Sequence, residues 1–330
     1  MKTQVNQPCI VCDSSESQLL HVLRYPLLGY PGDFNVRECT DCKLIFNSPR
    51  LASAQIERLY DASYYVFRER ERDAVRRVAQ LASQTVGVAQ QLGGAREVLE
   101  VGCAKGYLIA LLQAWGWSVR GVEIAAEAAQ FARQRFGVDV FTGTLEAWVA
   151  STSFKPTPMI LSTDVIEHVS DPSAFLLSMH AAVAPGGWLI LGTPNADSEH
   201  RQSLQAGWLG FNPFHIYLFT RDTLSRLLHK AGFEVMEAYT YTNGDAPAPQ
   251  PRSGVRHAAR TAAHVSGLLP MLRWARDRIR ALADRPVSAQ TLLEASRAGW
   301  STYLTSDDGR SPRRTACRGD NLVVIARRPQ

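Results

Sequence analysis

The chain has 330 residues, 45% of them hydrophobic and 20% charged, a balance that fits one full-sized globular domain with appendages. No apolar stretch approaches the ~20 residues that cross a bilayer. The opening MKTQVNQPCI lacks the basic-then-apolar layout of a signal peptide, so the expected location is the cytoplasm. The net charge of +5 is localised: between 251 and 320 thirteen arginines stand against six acidic residues, and the rest of the chain is slightly acidic. That excludes nucleic-acid binding spread over the whole surface.

In chain order, the first feature is a cysteine pattern. Cys9, Cys12, Cys39 and Cys42 read C-I-V-C and C-T-D-C, two C-x-x-C pairs with 26 residues between them. Tetrahedral Zn²⁺ takes four soft ligands, and each tight C-x-x-C bend delivers two thiolates, so these four are the expected ligands of one zinc. With every place filled by protein, such a zinc is structural rather than catalytic, a staple for a segment with little apolar core of its own. Asp13 and Lys43 stand where a glycine usually follows each pair. Cys103 and Cys317 have no ligand spacing.

SAQIERLY and RERERDAVRRVAQLASQTVGVAQQL then predict helices, ended by the glycines at 93–94. From there strand and helix alternate: REVLEV, GYLIALLQAW, SVRGVE, AAEAAQFARQRF, then the short apolar runs VDVF, PMILST and WLILGT. Such alternation means a parallel sheet wrapped by helices. RDTLSRLLHKAG is a marked helix: Thr220 caps it, Leu224, Leu227, Leu228 and Ala231 form its apolar face, and Gly232 ends it. FEVMEAYTY and NLVVIARR predict two more strands. Between them, a Pro-rich link (NGDAPAPQPRSG) opens a long insertion. There Leu268, Leu272, Ala275, Ile279 and Leu282 line one helical face and Arg273, Arg276 and Arg280 another. That helix either packs on the domain with a solvated basic face or offers a surface that meets anionic lipid or an anionic substrate. The expected organisation is a zinc-binding module over 1–50, a helical connector over 51–95, a core over 96–241, a basic helical insertion over 242–319 and a final core strand over 320–330.

VLEVGCAKGYLI at 98–109 reads as strand, glycine-containing turn and helix start. Gly102 and Gly106 let backbone approach a ligand. SVRGVEI carries Glu123 about twenty positions on, where an acid can bind two ribose hydroxyls. Glu100, just before the turn, suits a positively charged nucleoside better than a pyrophosphate. E-V-G-C-A-K-G resembles the first motif of the class I S-adenosylmethionine-dependent methyltransferases, usually E/D-x-G-x-G-x-G, with Ala104 in place of the middle glycine. TGTLEA at 142–147 falls where that family contacts adenine, and APGGWLILGTPN is similar to its fifth strand. The resemblance covers about 96–241 plus the final strand. It implies a Rossmann-like α/β fold, a seven-stranded sheet with the last strand antiparallel. It also implies a cofactor held by Glu100, Gly102, Cys103, Gly106, Tyr107, Glu123, Ile124, Leu145 and Asp164.

The fourth strand of the core ends in DVIEHV at 164–169, which the resemblance places at the mouth of the active site. The [DNS]-P-P-[YF] motif of amine methylases is replaced by S-T-D-V-I-E-H, which points toward hydroxyl or activated-carbon acceptors. An alcohol must lose its proton to attack, and His168 or His215 can act as base. Alternatively a divalent metal acidifies the hydroxyl. Asp164-x-x-Glu167-His168 with a later His215 resembles the E-x-x-E-H…H metal set of small-RNA 2′-O-methyltransferases and of the metal-assisted ubiquinone O-methyltransferases. Structurally, Glu167 and His168 could instead serve the helix start at Ser170-Asp171-Pro172. Trp115, Trp117 and Trp188 are expected to pack in the core.

A zinc module ahead of such a core resembles the sugar methyltransferases. Their C-methylating branch has a large C-terminal domain for which this chain is too short, so the expected activity is O-methylation of a sugar, glycan or related small metabolite. RNA 2′-O-methylation is the first alternative, although the N-terminal 50 residues form no strong basic face. A non-catalytic cofactor-binding scaffold of the same fold is the second.

Overall fold

A computed structural model describes residues 8–26, 32–50, 56, 78, 96–152, 154–242, 255–282, 288–291, 293–294 and 318–330. The helices expected over 51–95 (Ile56 and Val78 apart, both helical), the Pro-rich link, much of the 242–319 insertion and Cys317 lie outside the described residues.

Two sheets organise the molecule. The larger is built from β4 (Glu97–Val101), β5 (Ser118–Glu123), β6 (Val140–Thr142), β7 (Thr157–Thr163), β8 (Val183–Pro194), β10 (Glu234–Tyr241) and β11 (Asn321–Arg327). Its order is β6-β5-β4-β7-β8-β11-β10. β4 through β8 pair in parallel, while β11 runs antiparallel between β8 and β10. The seven-stranded sheet with its last strand reversed is therefore present. Its inner strands are covered on both faces, which is why β4 and β7 read as near-continuous apolar runs: Val98, Leu99, Met159, Ile160 and Leu161 are all buried. The covering helices include α1 (Tyr107–Ala114), α2 (Ala126–Phe136), α4 (Pro172–Ala182) and α6 (Arg221–Lys230); α3 (Leu145–Val149) and α5 (Glu199–Leu204) are short. In α6, Thr220 caps as expected, accepting from the Thr223 N–H, and Leu224, Leu227 and Leu228 are buried. Trp117 is buried, with Trp115 and Trp188 packed against the same cluster.

The smaller sheet, β1 (Ser17–Tyr25), β2 (Gly32–Cys39) and β3 (Ile45–Ser48), takes a fourth strand from the core. β9 (Tyr217–Leu218) pairs antiparallel with β3 at Ile45↔Leu218 and Phe46↔Tyr217. The apolar side chains follow the strands: Val11, Leu44 and Phe46 share one cluster with Ile216, Phe219 and Leu224. A segment too short to bury a core of its own thus borrows one. Arg50 locks the junction, buried over the Phe46 and Tyr217 rings at 5.0 and 5.1 Å and donating to the Tyr217 hydroxyl at 3.0 Å.

Part of the insertion forms α7 (Val255–Val265) and α8 (Leu268–Leu282). Packing of α8 through its leucine face is not what is found among the described residues: Leu268, Leu272 and Ile279 are 50%, 57% and 67% exposed, alongside Met271, Arg273 and Arg276.

Candidate active site

The four N-terminal cysteines converge as their spacing predicts. One ligand atom from each lies within 4.8 Å of the others, and all four thiols are free of disulfides. Each bend is closed by paired backbone bonds: Asp13 N–H to Cys9 O and Cys9 N–H to Ser14 O, then Lys43 N–H to Cys39 O and Cys39 N–H to Leu44 O. Asp13 and Lys43 adopt φ of 61° and 66°, the left-handed backbone that glycine would supply. The glycine is missing and its conformation is kept. Burial pushes the Cys9 and Cys42 thiols up, while at Cys39 it is outweighed by N–H groups of Cys42 and Asp41 that draw the thiol down. Four convergent thiols of which three are buried fit a Zn²⁺ well.

The glycine-containing turn follows β4 at the point where strand order reverses, between β4 and β7, the crevice in which open α/β sheets take ligands. Gly102, Ala104 and Gly106 have φ of 77°, 48° and 72°, so Ala104 holds a glycine-like backbone without being glycine. A Cβ on Gly102 would overlap the Val165 side chain; the turn is therefore packed against DVIEHV. Glu123 ends β5 with its two carboxylate oxygens held by the Ala104 and Ala125 N–H groups at 2.8 and 2.7 Å. Burial raises its pKa, opposed by those bonds. Ile124 beside it stays 38% exposed, an apolar surface next to the acid. Glu100 is buried at the end of β4. Three of the residues expected around the cofactor turn their side chains inward. Cys103 packs with Ile109, Ala129 and Val140, Tyr107 against Phe131 and Phe136, and Leu145 in the main core. Being apolar or aromatic, they fill the interface between helices and sheet, so that any contribution of theirs to the mouth is through backbone.

DVIEHV does not cap the following helix. Asp171 does that, accepting from the Ala174 N–H at 3.0 Å with Pro172 in the first turn. Asp164 sits exposed at the tip of β7 with φ 55°, its N–H on Gly192 O at 3.0 Å. The chain then makes one 3₁₀ turn, Ile166–His168, that drives Glu167 and His168 inward to 0% and 6% exposure. Glu167, His168 and His215 each offer a ligand atom within 4.8 Å of the others. His168 Nε2 faces Glu167 Oε1 at 3.7 Å, and the two imidazoles meet edge to face at 4.9 Å. His168 Nδ1 lies 3.0 Å from Phe214 O and His215 Nδ1 2.8 Å from Gly210 O. A carbonyl only accepts, so both rings carry their proton on Nδ1, which makes Nε2 the nitrogen with the lone pair. Glu167 Oε2 accepts from the Thr193 hydroxyl at 2.9 Å, while Oε1 is buried without a hydrogen bond. Burial, then the Asp164 charge, raises the Glu167 pKa well above the usual carboxylate range. Burial, then His215, depresses His168, and burial lowers His215 to about 4. An orphaned carboxylate oxygen beside two neutral imidazoles, each oriented through its far nitrogen, fits a divalent cation.

A family model described as a methyltransferase domain matches residues 66–238, just over half of the chain. The chain belongs to the class I S-adenosylmethionine-dependent methyltransferase family. Among its relatives, the mitochondrial ubiquinone biosynthesis O-methyltransferase of Arabidopsis thaliana is 29% identical over 42% of this chain and 47% of its own length. A probable S-adenosylmethionine-dependent methyltransferase of Mycolicibacterium smegmatis is 30% identical over 45% of this chain and 56% of its own. The chain thus spans about half the length of these curated relatives. A solved S-adenosylmethionine-dependent methyltransferase from Thermotoga maritima, described as a possible histamine N-methyltransferase, aligns over 77% of this chain and 91% of its own, at 19% identity and a TM-score of 0.44.

Sequence reasoning missed three contributors: Thr193, which holds Glu167, and the Phe214 and Gly210 carbonyls, which set the imidazoles. Carbonyls leave no trace in a sequence, and Thr193 is hidden inside what reads as an ordinary strand end.

Proposed function

We propose that this methyltransferase carries a methyl group from S-adenosylmethionine to a hydroxyl oxygen of a sugar, glycan or related small metabolite. The observation that carries this is the convergence of Glu167, His168 and His215 at the tip of β7, beside the glycine turn that would cradle the cofactor. In this reading Glu123 takes the two ribose hydroxyls, its oxygens each keeping a lone pair beyond their backbone bonds, and Ile124 offers a flat apolar rest for the base. Glu167, His168 and His215 would hold a divalent cation, which when bound lowers the pKa of an acceptor hydroxyl. Asp164 stands outside the trio, at the mouth, where it can receive the acceptor. Burial keeps both imidazoles neutral, so they are free to bind rather than repel a cation. An oxygen acceptor also agrees with the Arabidopsis relative, named as an O-methyltransferase.

Turnover of labelled cofactor against extracts split into glycans, small molecules and nucleic acid tests this. Label should enter glycans or small molecules, depend on an added divalent cation, and vanish in His215→Ala. Cation-independent labelling of RNA would refute it.

The exposed face of α8 favours an addition, an acceptor presented at a lipid surface. Leu268, Met271, Leu272 and Ile279 lie open with Arg273 and Arg276 beside them, the pairing of apolar insertion with anionic headgroup attraction. Co-flotation with phosphatidylglycerol vesicles, lost in Leu272→Glu/Ile279→Glu, is expected; equal flotation of both proteins would remove the lipid surface from the proposal.

A further inference from the structure

We infer that Asn47, in the strand that links the four-cysteine module to the core, is a positioning residue for both active-site imidazoles. The inference rests on the reading of Glu167, His168 and His215 as the reaction centre. Asn47 is polar and 3% exposed, a combination that needs a reason. Its side-chain amide donates to two carbonyls of the core, Asn212 O at 2.8 Å and His215 O at 2.9 Å. Both partners only accept, so the orientation of the amide is fixed. Its backbone N–H reaches the same segment, at Ile216 O, 2.9 Å away. On the other side of that segment the Asn212 side chain accepts from the Phe214 and His215 N–H groups at 3.0 and 3.1 Å. Residues 212–216 are therefore wound around one side chain from outside the core.

What that segment does gives the arrangement its consequence. It presents His215, and its Phe214 carbonyl takes the His168 Nδ1 proton. Its Ile216 N–H donates to Glu167 O at 2.7 Å, tying it to the 3₁₀ turn of DVIEHV. Asn47 touches neither imidazole, yet it holds the backbone that carries His215 and the Phe214 carbonyl on which His168 Nδ1 rests; the His215 Nδ1 partner, Gly210 O, lies just outside that backbone. β3, in turn, begins directly after Leu44, whose carbonyl closes the second cysteine bend. The cysteine module is on this view a working part of the site, acting through a strand and one amide.

The test uses the full chain with its zinc and compares Asn47→Leu, which keeps the volume and removes both donors, with Asn47→Ser, which keeps one. ¹⁵N-histidine NMR without added divalent cation reads the tautomer of His168 and His215. The wild type should show both as Nδ1–H. Asn47→Leu should give His168 and His215 mixed tautomers, the first because the Phe214 carbonyl shifts and the second because its own backbone moves away from Gly210 O. Its kcat should fall about tenfold, as expected when a supporting hydrogen bond is lost. KM for the cofactor should stay within about twofold and zinc at about one per chain; Asn47→Ser should fall between. Unaltered His215 resonances in Asn47→Leu with zinc retained would overturn the inference. Should that variant lose its zinc, Asn47→Ser decides: wild-type tautomers would overturn, mixed ones would support. The reading of the site fails separately, if His215→Ala turns over normally.

Discussion

Among the described residues, two clusters of side chains could hold a metal ion, and they are built on opposite plans. The cysteine cluster closes on itself: four thiols, two from each bend, with backbone bonds completing each bend locally. The acid–imidazole cluster stays open: three side chains that could ligate, two from one 3₁₀ turn and the third 47 positions further along, each oriented by hydrogen bonds with other residues. A closed shell can only hold its ion, and an open one can share it with a substrate. The difference teaches where function lies here, and it can be broken from either side.

The largest effect should come from the closed cluster. Cys39→Ser/Cys42→Ser removes half the ligands, and zinc should fall from about one per chain to near zero by metal analysis, because a two-ligand site cannot retain it. β2 ends at Cys39 and β3 follows the bend directly, so amide exchange in β1–β3 should rise from slow to near the unprotected rate. Zinc retained at wild-type level would mean that the closed plan is wrong.

Next comes the open cluster. His168→Ala should lower kcat by about a hundredfold or more, with zinc content and cofactor affinity nearly as in the wild type. The contrast with the cysteine variant is the point: stability lost in one, rate in the other. An unchanged rate would reduce DVIEHV to packing.

The same contrast explains what could be read from the sequence. The cysteine ligands sit three apart in each pair, and a bend of that length has few conformations, so spacing alone finds them. Glu123 and the 102–106 turn are legible for a similar reason, being fixed by the end of a strand and the beginning of a helix. Asp164, Glu167 and His168 could be found as polar residues where a strand should be apolar. Which groups orient Glu167 and His168 could not, because Thr193 and the neighbours Phe214 and His215 come from two later segments. Cys103, Tyr107 and Leu145 bury their side chains in the core: adjacency in sequence says that backbone is near a ligand, and says nothing of where the side chain goes. β1, β2 and β9 were invisible, since the sheet they form spans the module and the core.

Protonation sharpens the comparison further. Glu167 is raised by burial and by Asp164, so in the cation-free protein it binds its proton more tightly than an ordinary carboxylate. His215, at about 4, is already neutral through the pH range of most enzymes. A divalent cation requires the carboxylate form, and its binding must therefore expel the Glu167 proton. Affinity for Mn²⁺ should climb as pH rises through the range where Glu167 ionises, and that climb should be absent in Glu167→Gln. Calorimetry in buffers of different ionisation enthalpy should show proton release on Mn²⁺ binding that shrinks as pH rises, and none in Glu167→Gln. Release of a proton in that variant would assign it to another group.

The smallest effect expected is at Thr193, and it isolates orientation from ligation. Its hydroxyl donates to Glu167 Oε2 at 2.9 Å in a fully buried setting. Thr193→Val keeps the shape and leaves that oxygen without its donor, a loss of about 1–3 kcal/mol when the group is buried. The carboxylate would still reach a bound cation through Oε1, so binding should be weakened rather than lost. Mn²⁺ affinity should drop about tenfold, as is usual when a group supporting a metal ligand is removed. In the cation-free protein the same change pushes the Glu167 pKa higher, because a bond that favours the charged form is gone. Raising the pH should therefore recover part of the lost affinity in Thr193→Val and none in His168→Ala. A uniform deficit at every pH would mean that the hydroxyl only fills space, and that Glu167 is oriented by packing alone.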